Sequence, residues 1–61
     1  MRGLLEEAHA HLEQATKVLR AVAADAYDED AYAIEASSDA LADKVDDLAS
    51  RVSNLVREVR P

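Results

Sequence analysis

This sequence predicts an all-α fold, an antiparallel hairpin of two helices, and three observations carry that expectation. Thirteen alanines and seven leucines accompany one glycine and one proline, the last residue, a composition of strong helix formers. Only two residues are aromatic, far fewer than strands favour. Apolar residues recur at seven-residue intervals in both halves, and the two patterns fall out of phase across "DAYDEDAY", residues 25–32.

The first helix is expected over about 3–26. Leu5, Leu12 and Leu19 form one series and Ala8, Ala15 and Val22 another, with Leu4 and Val18 beside them. At about 100° per residue these positions share one broad face. Glu6, Glu13, Lys17 and Arg20 occupy the other side, with Glu13 and Lys17 spaced for an i,i+4 ion pair.

The second helix is expected over about 29–59. Ile34, Leu41, Leu48 and Leu55 form one series, interleaved with Ser38, Val45, Val52 and Val59. In heptad terms Val stands at a and Leu at d, with Ser38 a polar residue at a. Ala49 and Val56 widen this stripe. Arg57 and Arg60 suit a helix C-terminus, and Pro61 stops the helix.

Between the stripes a turn is expected at about 27–29. Carried backwards, the second heptad frame puts Leu5, Leu12 and Leu19 at c and Ala8, Ala15 and Val22 at f. One continuous helix would therefore show its stripes on different sides. The drift between helical and heptad periods, about 20° per heptad, removes only part of the offset. A reversal removes all of it. Asp28 then reads as the N-cap of the second helix, with Glu29 and Asp30 in its first turn. Tyr27 falls on the buried side and Tyr32 points outward. Two other architectures compete: a second helix split by a cap at Ser38, with Asp39 behind it, and one long helix in a parallel coiled coil, which Val at a with Leu at d favours.

Sixty-one residues make one small domain, and there is no cysteine to staple it. Each helix face is wider than a single neighbour can cover. Two hairpins pairing as a homodimeric four-helix bundle would bury both. Its expected seams are Leu5, Ala8, Leu12, Ala15, Leu19 and Val22 on one helix, and Ile34, Leu41, Val45, Leu48, Val52, Leu55 and Val59 on the other.

Charge is unevenly spread. Thirteen acids against seven bases give a net charge of −6. Residues 1–24 balance, residues 25–47 hold nine acids against Lys44 alone, and residues 48–61 carry three arginines against Glu58. Such a balance argues against direct nucleic-acid contact, which needs clustered Lys and Arg. Asp28, Glu29, Asp30, Glu35, Asp39, Asp43 and Asp46 form an acidic face, either solvated or presented to a basic protein partner. Asp47 and Arg51 are spaced for an i,i+4 pair, and Lys44 and Arg51 flank the second stripe.

No apolar run reaches the roughly 18 residues of a membrane span. The N-terminus becomes charged too early for a secretory signal, so a cytoplasmic protein with no membrane partner is expected. Metal ligands cluster only in "EEAHAHLE". Glu6 and His9 have Glu-x-x-His spacing, but Glu6 lies opposite the apolar face. Glu7 and His11, with Asp46 or Asp47, are the weak metal candidates; a His satisfied by a carboxylate explains them as well, so neither metal nor cofactor is assigned. Ser37, Ser38, Ser50 and Ser53 have no His within helical reach, and no catalytic residue is assigned. The expected function is that of a small acidic structural or adaptor protein acting through homodimerisation and protein–protein contact. An acidic inhibitor or antitoxin-like protein covering a basic site is one rival, and a metal-binding bundle the other.

Overall fold

The computed structural model describes Met1–Val59 as two helices folded back on each other, α1 (Arg2–Asp28) and α2 (Tyr32–Glu58). Of the residues expected to end the second helix, Arg57 lies in the last turn of α2, and Arg60 and Pro61 lie outside the described residues. The chain does turn in the acidic stretch, and the single long helix is overturned. α2 runs unbroken through Ser38 and Asp39, so no second cap divides it.

The turn itself differs from the expectation. It occupies Glu29–Ala31 rather than 27–29, and Asp28 ends α1 instead of capping α2. The backbone closes it. The Asp30 N–H donates to the Tyr27 carbonyl at 3.1 Å, and the Ala31 N–H to the Ala26 carbonyl at 2.7 Å. These are the two bonds of a Schellman ending, which satisfies the last carbonyls of a helix. The motif needs one left-handed residue, and Asp30 supplies it with φ 60°. Asp tolerates that region better than most residues, so no glycine is required. With these bonds Asp28 is taken up in the last turn of α1, and the chain reverses after it. Ala31 is the N-cap of α2 and makes no side-chain cap bond.

Tyr27 is also corrected: it is 59% exposed rather than buried. Because α1 continues through Asp28, the helical phase carries Tyr27 to the surface. There its ring meets Tyr32 edge-on, with centroids 6.2 Å apart. Tyr32 points outward as expected, and its hydroxyl donates to Asp30 Oδ1 at 2.7 Å.

The seam between the helices is made of small side chains. Ala23 and Ala26 of α1 and Ser38, Ala42 and Ala49 of α2 are its buried residues, and among the described residues no large side chain is fully buried. Leu5, Leu12 and Leu19 line its α1 edge half-buried, as do Val45, Val52, Val56 and Val59 on the other side. The expected Ser38–Val45–Val52–Val59 row therefore does meet α1. Its companion row there is Ala42, Ala49 and Val56, not the leucines. Helix spacing depends on the side chains at the contact, and alanines let two helices approach closely. The result is a rod, 49 × 13 × 9 Å in extent.

Candidate functional site

Helical phase and one ion pair together define two sides of this rod. On α1, Leu4, His11, Val18 and Val22 lie to one side of the Leu5–Leu12–Leu19 line, and Glu6, Glu13 and Arg20 to the other. On α2, Ile34, Leu41, Leu48 and Leu55 lie to one side of the Ala42–Ala49 line, and Asp39, Asp43 and Asp46 to the other. Arg20 Nη2 reaches Asp43 Oδ1 across the seam at 3.3 Å. That contact shows which sides adjoin: the charged rows share one side of the hairpin, and the apolar rows share the opposite one.

The apolar side is uncovered. Ile34, Leu41, Leu48 and Leu55 are each about half exposed, and Leu4 is 72% exposed. Val18 and Val22 complete the α1 row. Of the thirteen seam residues expected from sequence, the structure divides the α2 set between two surfaces. Val45, Val52 and Val59 face α1, whereas Ile34, Leu41, Leu48 and Leu55 face solvent. On α1, Leu5, Ala8, Leu12, Ala15 and Leu19 are half-buried, and Val22 is 40% exposed. The buried positions that periodicity passed over, Ala23, Ala26 and Ala42, were legible only as small residues placed for close helix contact.

The charged side is less uniform than a solvated stripe. Glu35 is half-buried, Asp39 and Asp46 are exposed, and Asp43 is tied to Arg20. Near the turn an open groove of about 460 Å³ is lined by Arg20, Ala23, Ala24, Tyr27, Asp28, Glu35 and Asp39. Asp28, Glu29 and Asp30 are exposed at the tip. The Asp30 carboxylate, by accepting the Tyr32 hydroxyl proton in a hydrogen bond, raises the Tyr32 pKa above its ordinary value, with desolvation and the Glu35 charge adding to it.

Among the other polar groups, Asp47 Oδ2 and Arg51 Nε pair at 3.1 Å as their spacing predicts. Glu13 does not turn to Lys17. It approaches His9 Nδ1 instead, at 3.3 Å. Glu7 and His11 do come together, at 3.6 Å, both largely exposed. The structure brings no Asp46 or Asp47 to them. Among the described residues there is no group of three or more His, Asp or Glu that could hold a metal ion. No helix in the described chain is long and apolar enough to cross a membrane. Comparison with protein-family models, curated proteins and solved structures finds no match to this chain.

Proposed function

We propose that this chain is a small structural or adaptor protein that works through homodimerisation, two hairpins burying their apolar sides against each other as a four-helix bundle. One observation carries the reading: among the described residues the hairpin fully buries only alanines and a serine, while Leu4, Val18, Val22, Ile34, Leu41, Leu48 and Leu55 stay exposed on one outer face. Contiguous apolar surface of this kind marks an association site.

The size of the molecule fits a second copy. A compact 6.6 kDa monomer exposes about 3,900 Å² of surface. This chain exposes 4620 Å². The excess approaches the roughly 800 Å² that each partner contributes to a standard interface. Its radius of gyration, 14.2 Å, likewise exceeds the value near 10.5 Å expected for a compact chain of this length. Twice as many residues in a compact body would have a radius of about 14 Å. A second hairpin laid alongside would add thickness without adding length.

Sedimentation tests this. The expected result is a helical species of twice 6.6 kDa in both dilute and molar salt. A monomer that keeps its helicity across the micromolar range would overturn it. The separate charged side favours one further reading, contact with a basic protein on Asp39, Asp46 and the tip. That contact would weaken steeply with salt while the dimer persisted.

A further inference from the structure

Resting on the dimer reading, we propose that the two hairpins pack with their turns at opposite ends, so that each acidic tip lies beside the open end of the other copy. Two symmetric ways exist to set one face on its copy. With the two-fold axis along the rod, the turns share an end and α1 lies on the partner's α2. With the axis across the rod, the turns separate, and each helix lies antiparallel on its own counterpart.

Charge separates these arrangements. Residues 21–40, the part of the rod around the turn, contain Asp25, Asp28, Glu29, Asp30, Glu35 and Asp39 and no basic residue. The remaining seven acids are matched by seven bases, so the entire net charge of −6 sits at the tip. Turns at one end would hold two such clusters side by side. Turns at opposite ends would set each cluster against a segment of no net charge and keep the two a rod's length apart. Screening reduces the penalty at ordinary salt, where the Debye length is about 8 Å, and restores it at 0.01 M, where the length is about 30 Å.

Side-chain size points the same way. Toward the turn the seam holds Ala23, Ala26, Ser38 and Ala42 with Leu19 as its one large side chain, whereas toward the open end Leu5, Leu12, Val52 and Val56 stand among Ala8 and Ala49. Head-to-tail packing sets the slighter end of one hairpin against the bulkier end of the other. The pair then has an even width, because seam side chains set the spacing of the two helices within each hairpin. The alternative would make a wedge.

The chain has no cysteine, so a single introduced thiol reports without interference. Glu29→Cys lies in the exposed turn, and Ala33→Cys, exposed one helical position before Ile34, serves as a second site. Each would carry a spin label, with the distance between protomers read by pulsed electron resonance and the mass of the same sample taken by sedimentation. In a rod 49 Å long, turns at opposite ends place the labels on the order of 50 Å apart, with a 1.5 Å rise per residue. Turns at one end would place them within about 20 Å, two helix spacings. A dimeric mass with the long distance, persisting at 0.01 M salt, is the expected result. A dimeric mass with the short distance overturns the arrangement and leaves the dimer standing. A monomeric mass for both the labelled and the unlabelled chain overturns the dimer and, with it, this arrangement.

Discussion

The fully buried positions of the inner seam and the outer face of this hairpin are occupied by residues of opposite size. Inside, Ala23, Ala26, Ala42 and Ala49 are almost wholly buried; outside, Leu41, Leu48 and Leu55 keep about half their surface in water. Apolar character alone would send the leucines inward. What decides the matter is that two helices share only one line of contact, and close approach along it yields more contact per residue when the side chains are small. Large side chains then need a second neighbour. A two-helix chain can be amphipathic twice over and satisfy only one of its stripes by itself.

The strongest way to break this contrast is to shorten the outer leucines. Leu48→Ala removes a side chain that the lone hairpin leaves half exposed, so an isolated chain would hardly register it. In a dimer the same truncation is expected to cost about 2–5 kcal/mol at each buried site, and the double variant with Leu41→Ala should sediment as a monomer with reduced helicity. If circular dichroism and mass both stay at the wild-type values, the outer face is not what holds the assembly.

A smaller effect is expected from the inner side. Ala42 is wholly buried, and Ala42→Leu would force the helices apart, with an expected loss of about 1–3 kcal/mol in urea denaturation. The same enlargement at Ala40, which is exposed, should be close to neutral. Equal responses at the two positions would mean that the seam is not tightly closed.

The turn gives the smallest effect and sharpens the comparison from a third place. Asp30→Ala loses the tolerance of Asp for φ 60°, at an expected cost of about 1 kcal/mol, whereas Asp30→Gly should be well accommodated. Tyr32 offers a companion readout. In the Tyr27→Phe variant, absorbance of the remaining tyrosinate should rise at a higher pH than in a free tyrosine, and Asp30→Asn should bring it down. Because the folded-state pKa is raised, any stabilisation from the Tyr32–Asp30 bond is present below the ordinary tyrosine pKa, about 10, and is lost as pH climbs through the higher folded value.

Much of this architecture was legible in the sequence. The seven-residue series gave both helices, and their phase mismatch located the reversal to within a few residues. The Asp47–Arg51 pair follows from spacing alone. What periodicity could not say is which of two neighbouring rows turns inward. Ile34, Leu41, Leu48 and Leu55 and the Ala42–Ala49–Val56 row lie on either side of the Ser38–Val45–Val52 line, and either could have joined it at the seam. The choice depends on size matching against Ala23 and Ala26 on the other helix, a property of the pair. Tyr27 was misplaced for a related reason. The turn was read from side-chain capping, whereas it is closed by backbone bonds that leave little mark on residue type.

A seam of alanines also ties the survival of the chain to its abundance. One copy alone gains little from burying Ala23, Ala26, Ser38, Ala42 and Ala49, so under the dimer reading folding draws most of its free energy from meeting another copy. Such stability grows with concentration, as for any fold that depends on a bound partner. When the chain is scarce, more of it stays open to proteases, and its level falls further; when it is plentiful, it protects itself. Turnover would then respond to amount more steeply than for a protein with a self-sufficient core.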